Sequence, residues 1–143
     1  MGQEAPDFTL REENNQEVTL SALRGAPVVL VFYAADFSPG CTKELCGIRD
    51  DFSAFEEKGA KVFGISRDSA WAHKAFQEKE GFRHSLLADM KGKVASLYGC
   101  WNEQAGIAER LTVVIDKDGI VRYVVHNSPA ELRDHKEAVA ALG

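Results

Sequence analysis

Two stretches of the chain predict buried strands. One is continuously apolar and rich in β-branched residues, a pattern typical of strands buried on both faces of a sheet, and the other has an apolar centre. The first covers residues 27–33 (PVVLVFY) and the second covers residues 61–66 (KVFGIS). Residues 86–88 (LLA) form a shorter candidate strand. The pattern therefore predicts an α/β sheet whose central strands are covered by other elements on both sides.

A helical pattern follows each of the two long strands. Ser38 is the candidate N-cap of the first helix, with Pro39 at its first helical position and Gly59 at its end. Its apolar stripe consists of Leu45, Ile48, Phe52 and Phe55. A second helix is predicted over residues 69–80 and a brief one over residues 94–98.

Two hairpins are predicted, one near each end of the chain. Residues 7–10 and 17–20 flank an Asn-Asn pair, which favours a turn between two short strands. Residues 111–115 and 120–125 surround the turn sequence Asp-Lys-Asp-Gly, a strong hairpin signal.

The remaining segments complete the prediction. Residues 100–109 are interpreted as a loop, and a last helix opens at Ser128 with a capping box. Trp71 and Trp101 are expected to pack in the core or against loops. Alternation of strands and helices predicts a mixed central sheet with helices on both faces, formed by one domain over residues 1–143.

Composition narrows the class of protein. The chain has 143 residues, is 45% hydrophobic and carries a net charge of −5, which argues against nucleic acid as the main partner. The longest apolar run, residues 26–35, is too short to span a bilayer. The first six residues lack the pattern of a signal peptide, so a cytoplasmic protein without membrane contact is expected. The four histidines and three cysteines show no zinc-site spacing, so neither a metal nor a cofactor is expected.

Cys41 lies in the first turn of the helix that follows the central strand, a place where α/β proteins often carry function. Backbone N–H groups and the helix dipole stabilise a thiolate there. That stabilisation raises the thiolate population by about 30-fold at most, so a fast reaction also needs hydrogen-bond donors for the transition state. Cys41 shares the core-facing stripe with Leu45 and Ile48, so a buried structural cysteine remains an alternative.

Cys46 lies about 140° around the helix from Cys41 and roughly 7.5 Å along its axis. A disulfide needs Cα atoms about 4.4–6.8 Å apart, so a Cys41–Cys46 bond cannot form while the helix is intact. An incidental, partly exposed thiol is the alternative for Cys46, which faces away from the apolar stripe. Cys100 is interpreted as an apolar position after a short helix, or as another partner of an oxidised Cys41.

Residues 38–46 (SPGCTKELC) resemble the active-site segment of the peroxiredoxins and are most similar to the bacterioferritin-comigratory or Q type. The resemblance starts at residues 5–10 (APDFTL) and continues through residues 102–104 and 109–110 to residues 114–119. It implies a thioredoxin-like fold. It also implies a thiol peroxidase that reduces hydrogen peroxide and organic hydroperoxides without a cofactor.

The resemblance implies a role for each of five residues. Cys41 matches the peroxidatic cysteine, which a peroxide oxidises to a sulfenic acid, and Cys46 matches the resolving cysteine. Ser38 takes the place of a hydroxyl residue, usually Thr, that hydrogen-bonds the peroxide and the thiolate. Arg110 matches the arginine that stabilises the developing charge, and Glu44 matches the carboxylate that orients it.

Two departures from the family pattern leave alternatives open. Ala34 stands where the family has a proline that shields the thiolate, and Ser38 lacks the methyl group that restricts the rotamer of Thr. The family implies recycling by thioredoxin or a similar dithiol, in a monomer or weak homodimer. The alternatives are a one-cysteine mechanism with an external thiol, and a weakly catalytic redox sensor or holdase, which Ala34 motivates.

Overall fold

The computed structural model describes residues 2–37, 45–46 and 52–127. Leu45 and Cys46 are helical, in agreement with the first predicted helix, whose other residues between 38 and 51 lie outside the described residues. The last predicted helix, which opens at Ser128, also lies outside them.

The described chain alternates strands and helices. The strands are β1 (Thr9–Glu12), β2 (Glu17–Thr19), β3 (Val28–Phe32), β4 (Lys61–Ser66), β5 (Ser85–Ala88), β6 (Trp101–Asn102), β7 (Ile107–Ala108), β8 (Arg110–Ile115) and β9 (Val121–Asn127). The helices are α1 (Phe52–Glu57), α2 (Ala70–Glu80) and α3 (Lys93–Leu97), and a 3-10 helix covers Leu20–Leu23.

Seven of these strands form one mixed sheet in the order β2-β1-β5-β4-β3-β8-β9. The three central strands β5, β4 and β3 are parallel, and the pairs toward both edges are antiparallel. Both predicted hairpins are present at the edges, as β1–β2 and β8–β9. The N-terminal turn places Asn15 at φ +65°, a left-handed conformation that Asn tolerates better than most residues.

The central strand β3 is buried along its whole length, as its apolar sequence predicts. Leu30 and Phe32 contact the apolar cluster on one face of the sheet, and Val29 and Val31 contact the cluster on the other. This alternation is the two-residue repeat of a strand with no solvent-facing side. Both faces of β3 are therefore core.

Helices cover both faces of the sheet. Phe55 of α1 and Phe76 of α2 belong to the cluster on one face, whereas Val94 of α3 belongs to the cluster on the other. Helix α2 begins after Ser69, whose hydroxyl accepts a hydrogen bond from the backbone N–H of Ala72 at 3.2 Å. The predicted mixed sheet with helices on both sides is confirmed.

Two details differ from the sequence-based expectations. Residues 100–109, predicted as a loop, contain the two-stranded ribbon β6–β7, whose strands are too short to show a periodicity. The ring of Trp101 lies against Gly92, where a Cβ atom would come within 2.3 Å of it, so the glycine permits this packing. The prediction for Trp71 is wrong, because its side chain is 86% exposed on α2.

None of the helices in the described part of the chain has the length and apolar character needed to cross a bilayer.

Candidate active site

The edge of the sheet where β3, β4 and β5 end is the place where the sequence puts the cysteine segment. Because β8 runs antiparallel to β3, it begins at this same edge. Phe32, the last residue of β3, pairs with Leu111, so Arg110 lies one position beyond the end of β3. Ser38, Cys41 and Glu44, three of the predicted site residues, lie outside the described residues.

Arg110 brings a cation into this edge. It is the first residue of β8 and is only 5% exposed. A buried guanidinium is stable only where anionic or hydrogen-bond-accepting groups offset its lost hydration. The guanidinium of Arg110 is therefore placed to interact with negative charge near the end of β3.

A buried polar network lies at the same edge, in the segment that leads to Ser38. The hydroxyl of Tyr33 donates to Oδ1 of Asp36 at 2.5 Å. Oδ2 of Asp36 lies 2.7 Å from Nδ1 of His73, and Nε2 of His73 lies 2.9 Å from the carbonyl oxygen of Leu87. The network joins the end of β3 to α2 and to β5.

The partners of His73 determine where its protons lie. A carbonyl oxygen only accepts, so Nε2 of His73 carries a proton and donates it to Leu87. Nδ1 of His73 and the carboxyl group of Asp36 then share one further proton. Burial, together with the charge of Asp36 and the hydrogen bond to it, raises the pKa of Tyr33 well above its usual value, so the phenol stays protonated and donates.

A second carboxylate holds the backbone of Asp36. The backbone N–H of Asp36 donates to Oδ2 of Asp68 at 2.8 Å, and the hydroxyl of Ser66 donates to the same oxygen at 2.6 Å. Ser66 is the last residue of β4, so the β3 segment is also tied to the neighbouring parallel strand. Asp36 is thereby fixed through both its side chain and its main chain.

Phe37, the residue directly before Ser38, has a left-handed backbone with φ +65°. A bulky residue in this conformation costs about 1–2 kcal/mol, so its surroundings must hold it there. Its ring packs on Phe76 with centroids 4.9 Å apart, and Nζ of Lys79 lies 5.5 Å from its centre. The backbone is therefore held in place as far as Phe37, the last residue before the cysteine segment.

Sequence reasoning did not select Asp36 or His73 as site residues. A signal was present, because His73 and Phe76 are three positions apart on α2 and both are fully buried. A histidine on the buried face of a helix needs partners for both ring nitrogens, which points to a polar group in the core.

Cys46 lies on the side of the sheet that α1 and α2 cover. It is half-buried, packs against the apolar cluster of that face, and its thiol donates to Oε2 of Glu80 at 3.4 Å. The apolar contact differs from the expectation that Cys46 faces away from the stripe. Its neighbour Leu45 is fully buried in the same cluster, as the stripe predicts.

Cys100 lies in the core on the opposite face of the sheet. It is 1% exposed and belongs to the cluster that includes Phe32 and Val94. The interpretation of Cys100 as an apolar position is confirmed. The sheet separates its cluster from the one that Cys46 contacts. The other interpretation, Cys100 as a partner of an oxidised Cys41, stays a prediction because Cys41 lies outside the described residues.

The comparison with known families decides the class. The model of the AhpC/TSA family matches residues 1–124, a range that includes both Cys41 and Arg110. The chain belongs to the AhpC/TSA family. This match and the relatives of the chain confirm the predicted resemblance to the peroxiredoxins of the bacterioferritin-comigratory or Q type.

Individual relatives of this AhpC/TSA-family chain agree with that assignment. Peroxiredoxin Q, chloroplastic, from Oryza sativa subsp. japonica is 43% identical over 127 residues, which cover 88% of this chain and 58% of the rice protein. This chain thus spans less than two thirds of the length of that relative. Alkyl hydroperoxide reductase E from Mycobacterium tuberculosis (strain ATCC 25618 / H37Rv) is 43% identical, over 99% of this chain and 97% of its own length.

A solved structure confirms the predicted thioredoxin-like fold. The crystal structure of the peroxidoxin BcpB from Mycobacterium tuberculosis matches this AhpC/TSA-family chain with a TM-score of 0.89 and 36% identity. The match covers 99% of this chain and 94% of that structure.

Proposed function

We propose that this chain is a thiol peroxidase that reduces hydrogen peroxide and organic hydroperoxides through the thiolate of Cys41. The observation that carries the proposal is the buried guanidinium of Arg110 at the sheet edge where β3 leads into the cysteine segment. A fast reaction of a thiolate needs donors aimed at the charge of the transition state, and a buried cation at this edge is such a donor. Membership of the AhpC/TSA family over residues 1–124 supports the same activity.

The first step transfers two electrons from Cys41 to the peroxide. The thiolate sulfur attacks one peroxide oxygen, a sulfur–oxygen bond forms and the oxygen–oxygen bond breaks. The second oxygen leaves with the electron pair of the broken bond and takes up a proton to give water or an alcohol. Arg110 stabilises the charge on that oxygen, Ser38 hydrogen-bonds the peroxide and the thiolate, and Glu44 orients Arg110.

The anchored backbone before Ser38 supports this arrangement. Asp36 is held by His73 and Asp68, and Phe37 is packed on Phe76. Reacting groups lose rate when they are misplaced by about 1 Å, so a segment that carries them benefits from a fixed start.

The second step joins Cys46 to the oxidised Cys41. The sulfur of Cys46 attacks the sulfenic sulfur, a disulfide forms, the sulfur–oxygen bond breaks, and the leaving hydroxide takes the thiol proton to become water. The helical spacing that the sequence predicts for the two residues makes unwinding of the helix a condition of this step. Thioredoxin or a similar dithiol then reduces the disulfide by two electrons. We further propose that the protein is cytoplasmic and is a monomer or weak homodimer.

The test is the intact mass under non-reducing conditions after one equivalent of hydrogen peroxide, followed by peptide mapping. We expect a monomer lighter by about two mass units, with the loss mapped to a Cys41–Cys46 disulfide. A sulfenic acid that persists on Cys41 would contradict the resolving role of Cys46 and assign reduction to an external thiol. An unmodified Cys41 would contradict the peroxidase activity itself.

Two variants separate the roles of the cysteines. Cys41→Ser should consume no peroxide, and a variant that still does so would overturn the proposal. Cys46→Ser should form the sulfenic acid at the normal rate but lose turnover with thioredoxin.

A further inference from the structure

A carboxylate stands against the thiol of Cys46. The Sγ atom of Cys46 donates to Oε2 of Glu80 at 3.4 Å, and both side chains are half-buried. Glu80 is the last residue of α2, so the contact joins the helix that carries Cys46 to a different helix. A hydrogen bond to an ionised acceptor is stronger than a neutral one, so a carboxylate at this place holds the thiol more strongly than a neutral acceptor would.

The placement of Glu80 is not one that the helix itself favours. The C-terminal end of a helix carries partial negative charge, so an anionic side chain in the last turn is disfavoured there. The cation of the same turn, Lys79, lies over the ring of Phe37. The end of α2 is thus an unfavourable place for the carboxylate of Glu80. The thiol of Cys46 supplies a hydrogen-bond donor to it there.

We propose that Glu80 is a positioning residue for Cys46, which retains the thiol in the folded helix and delays its attack on an oxidised Cys41. The delay has two physical sources. The hydrogen bond must break before Cys46 leaves its place, and a thiolate formed in that place would face the carboxylate across 3.4 Å. The effect on Cys46 follows from the contact alone, whereas the effect on disulfide formation rests on the proposed function.

The chemistry of the resolving step agrees with this direction. The helical spacing predicted from the sequence puts Cys46 too far from Cys41 for a disulfide, so the bond should form only after Cys46 has moved. Such a movement would break the contact with Glu80, which belongs to a different helix, α2. Glu80 is neither oxidised nor reduced, and its contribution is to stabilise the arrangement that precedes the step.

The first experiment measures the reactivity of Cys46 without any peroxide. In a Cys41→Ser background, the rate of modification of Cys46 by iodoacetamide is followed by mass spectrometry with peptide mapping. Adding Glu80→Gln should raise that rate about threefold to tenfold, because it removes the charge and weakens the hydrogen bond.

The matched control is Glu78→Gln in the same background. Glu78 is exposed on the same helix and pairs with Lys74 at 3.3 Å, so this variant makes the same change of charge away from Cys46. The control should leave the rate unchanged. An equal rate in the Glu80 and Glu78 variants, or a slower one in Glu80→Gln, would overturn the proposal.

The second experiment measures disulfide formation in a single turnover with one equivalent of hydrogen peroxide. With Cys41 present, Glu80→Gln should form the Cys41–Cys46 disulfide about threefold to tenfold faster than the unaltered chain, and Glu78→Gln at the unaltered rate. A slower disulfide in Glu80→Gln would overturn the delay and identify Glu80 as a base that assists the attack. If the unaltered chain forms no disulfide, the proposed resolving role fails, while the alkylation result still decides whether Glu80 holds Cys46.

Discussion

Two pairs of a histidine and a carboxylate in this chain have the same chemistry in opposite surroundings. His73 and Asp36 meet at 2.7 Å with side chains 0% and 1% exposed. His126 and Glu109 meet at 3.1 Å with side chains 48% and 45% exposed. The first pair joins the segment after β3 to α2 in the core, and the second joins β9 to the residue before β8 at the surface.

The difference shows that burial, and not the type of pair, decides what each contact is worth. An exposed pair gains little, because water already solvates both partners and salt screens them. In a buried pair, each partner has given up its hydration and depends on the other, so loss of one leaves the other unsatisfied. The buried pair is therefore the one that removal of a single side chain should expose most clearly.

The largest effect is expected when the buried pair is broken from the side of the acid. Asp36→Ala leaves Nδ1 of His73 and the hydroxyl of Tyr33 without their acceptor in the core. The free energy of unfolding should fall by about 3–5 kcal/mol, measured by urea denaturation. The companion variant His73→Ala should lower the free energy of unfolding by a similar amount. A loss below about 1 kcal/mol in both variants would contradict the importance of the pair.

A smaller effect is expected when only the charge of the pair is removed. In Asp36→Asn, the amide nitrogen can donate to Nδ1 of a neutral His73, and the amide oxygen can still accept from Tyr33. The new amide, His73 and Tyr33 would then all keep a hydrogen bond. The loss in unfolding free energy should therefore be about 1 kcal/mol, because charge-assisted hydrogen bonds become neutral ones. The measurement is the same urea denaturation, with nitrogen NMR of His73 to show a proton on Nε2 only.

The comparison of Asn with Ala at position 36 separates geometry from charge. A loss in Asp36→Asn as large as that in Asp36→Ala would mean that the ionised form of the pair, and not its hydrogen bonds, stabilises the core.

The fold was predictable wherever the chain carries a long local pattern. The continuous apolar run of β3 and the helical pattern over residues 69–80 each depend on neighbouring residues, and both elements appear as expected. The ribbon β6–β7 was missed because strands of two residues have no periodicity to detect. The error at Trp71 has a different cause, since burial of one large side chain depends on what the rest of the fold places beside it.

The candidate site was predictable to the extent that it follows from motif residues. The resemblance selected Arg110, and the register of β8 against β3 explains how a residue so distant along the chain reaches the same sheet edge. The partners Asp36 and His73 are 37 positions apart, and no local pattern links an acid after a strand to a histidine in a later helix. Glu80 was missed for the same reason, because its contact with Cys46 exists only once two helices pack together.

The smallest effect is expected at the exposed pair, and a double-mutant cycle measures it most directly. Glu109→Gln, His126→Asn and the double variant should give a coupling free energy below about 0.5 kcal/mol in low salt, because both side chains remain hydrated in the absence of the other. Raising the ionic strength to about 1 M shortens the screening length to about 3 Å and should reduce the coupling further. A coupling above 2 kcal/mol that persists in high salt would contradict the conclusion that burial decides the worth of such a pair. It would place His126 and Glu109, which flank Arg110 through β9 and the main chain, among the groups that hold the sheet edge together.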